Sequence, residues 1–209
     1  MLTNMHLNIF RRYDPKILKP RYIIIVIFSI LATFAAFQLS VDKIHLAENP
    51  DTKLGCSINV VLNCASVMKT PQADLFGFPN SYLGMMGYPV FLFFALSALM
   101  GVKYNKRILR LLMFGIAVAF VFALWLFYES MYIIEILCPW CMLTTTSTAF
   151  IFAALLHISL RENIFNFSKR RYETVGKWLN ESYDKLFFIS LLVIMIALVV
   201  GKFGDALIS

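Results

Sequence analysis

Five stretches of the chain are free of charge for long enough to be read as helices crossing a lipid bilayer. A hydrocarbon core of about 30 Å takes roughly 20 helical residues. Tyr22–Ser40 and Tyr82–Met100 each offer 19 uncharged positions, Leu111–Tyr128 offers 18 and Pro139–Leu160 offers 22. The third helix is expected to continue past Glu129 toward Leu137. Leu186–Gly201, at 16 residues, fits with local thinning of the bilayer or a snorkelling Lys202. The pattern predicts an all-α integral membrane protein in four parts. These are an N-terminal segment 1–21, a four-span unit 22–160 with a loop 41–81 after its first helix, a basic and aromatic linker 161–185, and a fifth span with a short tail, 186–209.

Composition agrees. Of 209 residues, 60% are apolar and 15% charged, against about 45–50% and 25% in soluble domains. Twenty Phe and nine Tyr against nine Gly and seven Pro exclude disorder, collagen and flexible repeats. The net charge of +7 would suggest nucleic acid in a soluble chain, but here it follows topology. Fifteen Lys and Arg fall before the first span, between the second and third, and between the fourth and fifth; the opposite side holds only Lys43, Lys53, Lys69 and Lys202. The positive-inside rule then puts the N-terminus in the cytoplasm and the C-terminus outside. The basic surplus faces anionic lipid, and no nucleic-acid partner is expected. The first span is long for a secretory signal and Ser-Val-Asp-Lys after it offers no small-x-small cleavage site, so it is read as an uncleaved anchor. Asn163–Lys185, which mixes Phe165, Phe167, Tyr172 and Trp178 with basic residues, suits either an interfacial helix or a solvated linker. The glycosylation patterns at Asn166 and Asn180 lie on the cytoplasmic side and should stay bare.

The chain has four cysteines. Cys56 and Cys64 lie between the first two spans, and Cys138 and Cys141 lie at the start of the fourth. Two crossings separate the pairs, so both face the exterior, where disulfides persist. In Cys138-Pro-Trp-Cys141, Pro favours the first helical position, which makes Cys138 the expected N-cap. The positive helix end favours its thiolate, the species that thiol–disulfide exchange requires. Half a zinc site and a structural disulfide are the blander readings. Zinc is disfavoured because Cys56-x7-Cys64 has the wrong spacing and His45 stands alone, so no metal is expected. A structural Cys56–Cys64 staple stays open, but beside a CxxC on the same face the favoured reading is a redox relay that takes electrons from a soluble protein and delivers them to a lipid-soluble quinone.

Four motifs, namely Cys56-Ser-Ile-Asn-Val-Val-Leu-Asn-Cys64, Leu75-Phe-Gly-Phe-Pro-Asn-Ser81, Leu83-Gly-Met-Met-Gly-Tyr88 and Cys138-Pro-Trp-Cys141, resemble the vitamin K epoxide reductase family in its bacterial branch. The likeness runs over roughly Tyr22–Leu160, and its order, a wide loop pair followed by a later CxxC, is discriminating. The resemblance implies a four-helix bundle around a quinone (ubiquinone or menaquinone) in the bacterial cytoplasmic membrane, with the loop pair covering the site. It also implies that Cys56 exchanges with a partner, that Cys64 forms a relay disulfide with Cys138, and that Cys141 passes electrons to the quinone. Thr70 matches a Ser that supports the relay, and Asn80 an Asn that holds a quinone oxygen. Read without the resemblance, Thr70 is a turn residue before Pro71 and Asn80 an N-cap. Thr145 shares a helix face with Cys141 and could bond a quinone carbonyl. Vertebrate members carry Tyr there, and the blander alternative in Thr144–Thr148 is bonding to carbonyls of the preceding turn. Glu129 and Glu135 belong at the outer interface.

Many bacterial members carry a thioredoxin-like domain after the fifth span, whereas this sequence stops about eight residues beyond Gly201. The expected partner is therefore a separate exported thioredoxin-fold, DsbA-like protein, and the expected function is its re-oxidation in support of disulfide formation in exported proteins. The rivals are vitamin K epoxide or quinone reduction as the main activity, and a small transporter or accessory subunit with structural disulfides. The spans lack the midplane charges that transport usually leaves.

Overall fold

The computed structural model describes residues 15–180 and 183–208. They form seven helices: α1 (Pro15–Glu48), α2 (Cys64–Met68), α3 (Asn80–Leu99), α4 (Lys106–Glu129), α5 (Pro139–Arg161), α6 (Lys169–Asn180) and α7 (Tyr183–Ile208). Among the described residues four helices are long and apolar enough to span a membrane, and a shorter apolar helix covers Phe188–Gly204.

The helices α1, α3, α4 and α5 run alternately up and down, with α1 packed on α3 and α5, and α4 on α5. One end of the bundle is closed by side chains onto carbonyls: Lys106 Nζ donates to Asn163 O at 2.9 Å and Tyr172 Oη to Arg161 O at 2.6 Å. The core above it is aliphatic and aromatic, centred on Ile25, Ile116, Ile151, Leu155 and Ile158. All four cysteines gather at the other end.

Helix α1 approaches its neighbours α3 and α5 through small side chains. Ser29, Ala32, Ala35, Ala36 and Ser40 are all buried, as expected where lipid provides no hydrophobic drive and backbones must approach closely for dispersion. A Cβ added to Gly84 would meet Ala36 Cβ at 3.0 Å. Gly84→Leu is expected to force the two helices apart and destabilise the bundle by about 1–3 kcal/mol, read as a lower Tm in detergent. An unchanged Tm would mean that this contact is not tight.

Two boundaries depart from the sequence reading. The first helix does not end near Ser40 but continues to Glu48, so the loop expected over 41–81 loses its first part. Its charges end the apolar run but not the helix: Leu39, Asp42 and Leu46 keep helical spacing and are all buried. The helix past Glu129 switches to a π turn over Ser130–Ile134 and stops at Glu135, whose φ is 57°. Of the two readings for Asn163–Lys185, the structure has the helical one over residues 169–180, α6, with Leu179 buried.

Candidate functional site

The loop between α1 and α3 reaches the start of α5 by a short backbone seam. Leu62 bridges Leu137 in parallel, with Leu137 N donating to Val61 O at 2.7 Å and Asn63 N donating to Leu137 O at 3.0 Å. Asn63 then caps α2, its Oδ1 accepting from Ser66 N at 3.1 Å and from Ser57 Oγ at 3.0 Å. The first residue of α2 is Cys64. One residue past the other side of the seam is Cys138, the N-cap of α5, whose sulfur accepts from Cys141 N at 3.4 Å. Trp140 braces this corner against Phe34 of α1.

The result is a sulfur cluster. Cys56 and Cys64 are joined in a disulfide, and Cys138 Sγ lies 3.3 Å from Cys64 Sγ. Cys138 and Cys141 are both thiols. The Cys138 thiol is held below its ordinary pKa, first by its hydrogen bond with the Cys141 side chain, and burial opposes this. Cys138 is 1% exposed, so its nearest electrophile is the loop disulfide and not a solute.

Below the cluster lies a cavity of about 630 Å³ between α1, α3, α4 and α5, within the usual range for a small-molecule site. Cys141 forms part of its wall, as do Thr145, Tyr88 and Phe122. Its polar end is roofed by a 3-10 turn, Pro71–Asp74, and by the first residues of α3. Lys43 of the α1 extension pins this roof, donating to Met68 O and Asp74 Oδ2, both at 2.6 Å. Gln72 Nε2 donates to Glu129 Oε2 at 3.2 Å.

Asn80 is the first residue of α3 and makes no capping bond; the expected N-cap place belongs to Pro79. Its Nδ2 donates instead to Gln72 O at 2.6 Å, while Oδ1 is buried with no partner. Gln72 Oε1 and Asp74 Oδ1 are buried without a partner as well, and all three residues line the cavity. Unmatched buried acceptors cost about 1–3 kcal/mol each, so this end of the cavity suits a ligand that brings hydroxyl donors. The apolar walls suit the ring of a quinone, and the acceptor end matches a hydroxyl of its reduced form.

Thr70 also lines the cavity, but its hydroxyl donates to Val67 O at 2.7 Å and closes the end of α2. Thr144 and Thr148 bond carbonyls of the preceding turn, and Thr148 also bonds Tyr88 Oη at 2.8 Å. Thr145 is buried on the cavity wall. Glu135 is drawn to α7, where Lys202 Nζ donates to its Oε1 at 2.7 Å and to Met131 O at 2.6 Å. The fifth helix thereby supplies a donor to a carbonyl of the π turn. The sequence reading missed Asp42, Lys43, Gln72, Asp74 and Tyr88. Tyr88 closes one of the four motifs and Asp42 and Lys43 continue an apolar helix, whereas Gln72 and Asp74 carry no sequence signal.

The vitamin K epoxide reductase family profile matches residues 23–156, from α1 to near the end of α5, and takes in all four cysteines. The chain belongs to the vitamin K epoxide reductase family. A search of curated proteins returns no match. Family membership makes it a multi-pass membrane oxidoreductase of disulfide and quinone chemistry, built as a helical bundle. Within this family member, Cys56–Cys64 is the disulfide and Cys138–Cys141 the dithiol.

Proposed function

We propose that the protein re-oxidises an extracytoplasmic thioredoxin-fold partner and passes the electrons through Cys56/Cys64 and Cys138/Cys141 to a membrane quinone, ubiquinone or menaquinone. The observation that carries this reading is the 3.3 Å approach of Cys138 Sγ to Cys64 Sγ, with Cys141, one turn on, facing the cavity. The family resemblance points to a bacterial cytoplasmic membrane, and charge placement supports an orientation with residues 1–21 and 161–185 inside and the cysteines outside. It also supports the division into a four-span unit, 22–160, and an appended fifth helix. Beside Cys56 the loop carries Ile58 and Val60, the latter 86% exposed, an apolar tip that suits docking of a partner.

In the proposed sequence, the partner's thiolate attacks Cys56 Sγ and expels Cys64 as thiolate. The partner's second thiol displaces Cys56, leaving the partner oxidised and Cys56 a thiol. Cys64 attacks Cys138 in the Cys138–Cys141 disulfide and expels Cys141. Cys56 then attacks Cys64, re-forming the loop disulfide and releasing Cys138. Two electrons and two protons now rest on Cys138 and Cys141, the arrangement the structure displays. A quinone in the cavity supplies the two-electron, two-proton acceptor. Asn80 and Thr145 position it, and Thr70 holds α2, and with it Cys64, in place.

Alkylation trapping in cells tests the route. When quinone synthesis is blocked, the partner and this protein's cysteines should become reduced together. A partner that stays oxidised without quinone would overturn the route. Purified protein should reduce quinone and not vitamin K epoxide; epoxide turnover would favour the reductase reading instead.

A further inference from the structure

Asp42 has no part in the scheme above, yet it touches one of its sulfurs. It lies on the α1 extension between Leu39 and Leu46, which are buried in one cluster with Cys56, Cys64 and Cys138. Asp42 is 6% exposed. Its Oδ1 accepts from Gln38 Nε2 at 3.0 Å, and its Oδ2 lies 3.8 Å from Cys56 Sγ. A carboxylate this deep is ordinarily paired with a cation, but among the described residues no Lys or Arg forms an ion pair with it. Lys43, its neighbour in sequence, is committed to Asp74 and the Met68 carbonyl. The other titratable groups at this cluster are the Cys138 and Cys141 thiols.

Each passage of electrons requires Cys56 to gain a proton once, when the partner's second thiol displaces it. It must lose that proton once, when it attacks Cys64 and re-forms the loop disulfide. Cys56 is 7% exposed, so water is a poor carrier, and Asp42 supplies a titratable oxygen beside its sulfur. We propose that Asp42 is the acid–base group of Cys56. Its protonated carboxyl hands the proton to Cys56 sulfur as the partner–Cys56 bond breaks. Its carboxylate takes the proton back as Cys56 bonds Cys64 and the Cys64–Cys138 bond breaks, with Cys138 leaving as thiolate. No electron enters or leaves in the transfer itself. Gln38 holds the far oxygen and so keeps Oδ2 turned toward the sulfur.

This inference rests on the exchange order proposed above, but its test needs neither quinone nor partner. In the full chain with Cys64→Ser, Cys138→Ala and Cys141→Ala, only Cys56 remains. Two quantities are read: the pH midpoint of Cys56 alkylation by iodoacetamide, and the rate at which dithiothreitol frees Cys56 from a glutathione mixed disulfide at pH 7. Asp42→Asn should lower the midpoint by about one pH unit or more, because a neighbouring negative charge is gone. It should nonetheless slow release about tenfold or more, because the proton donor is gone. A thiol that is more acidic yet slower to leave is the signature of lost acid–base help. Faster release in Asp42→Asn would leave only an electrostatic effect, and an unmoved midpoint would leave only a structural one; either overturns the proposal. Asp42→Glu should restore most of the rate, and failure to do so while the variant keeps the parent's Tm also counts against it. Failure of wild-type protein to reduce quinone would overturn the function above without touching these two measurements.

Discussion

Cys141→Ala is expected to lower quinone reduction by about a hundredfold or more, since removing one member of a unit that acts together costs nearly as much as removing all of it. Cys141 is the only cysteine lining the cavity, while Cys138 is turned to Cys64 and sits 1% exposed in the cluster above. No other sulfur can therefore substitute. Capture of the partner needs only Cys56 and Cys64, so the variant should still open its loop disulfide. With nowhere to send the electrons, it should accumulate a partner mixed disulfide through Cys56. Loss of ring absorbance under anaerobic conditions measures the first effect, and a non-reducing gel the second; the trapped species should vanish when Cys56→Ser is added. Normal turnover by Cys141→Ala would remove Cys141 from the route. The same variant separates the redox reading from structural cysteines, which would cost stability but leave partner oxidation intact wherever folded protein remained.

The parts of this molecule that were readable in advance are those where one physical rule acts alone. An uncharged run long enough to cross lipid marks a helix, and Cys138-Pro139 marks its N-cap, because the cap and the Pro preference are local. The Cys138 side chain does accept from Cys141 N. The ends of helices outside lipid obey different rules. Beyond Ser40 the chain is charged and yet helical, because Asp42, Lys43 and Leu46 find partners in the loop and not in water. Hydropathy measures where lipid stops, and it does not register those partners. The polar end of the cavity was hidden for a related reason. Gln72 and Asp74 are ordinary loop residues in the sequence, and become cavity walls only when Lys43 and Asn80 pin the 3-10 turn over the bundle. Thr70 and Asn80 could be singled out by resemblance, but what their side chains bond to is set by tertiary neighbours that spacing does not reveal. The fifth helix is a similar case: a short apolar run gives no hint that Lys202 reaches Met131 and Glu135.

Asn80→Ala should weaken binding of the reduced ring more than that of the oxidised one. The Asn80 side chain makes one bond within the protein, from Nδ2 to Gln72 O, and leaves Oδ1 buried and unmatched on the cavity wall. An oxygen in that position contributes only when a donor arrives, and the net worth of such a bond is about 0.5–1.5 kcal/mol, roughly tenfold at its upper end. The dissociation constant for the quinol should therefore rise up to about tenfold, whereas KM for quinone, whose carbonyls bring no donor to Oδ1, should change little. The sharper measurement is selectivity. The three unpartnered atoms at this end, on Asn80, Gln72 and Asp74, are all acceptors, so the wild-type cavity should bind a short-chain quinol more tightly than its dimethyl ether. Methylation removes both donors while keeping the ring and its apolar surface. Asn80→Ala should erase most of that preference while leaving the ether's affinity nearly unchanged, which sets loss of a specific bond apart from collapse of the roof, since collapse would weaken both ligands alike. Equal affinity of wild-type protein for the two would mean that these acceptors face trapped water and not the ring, and the orientation of the ring in the cavity would have to be reversed.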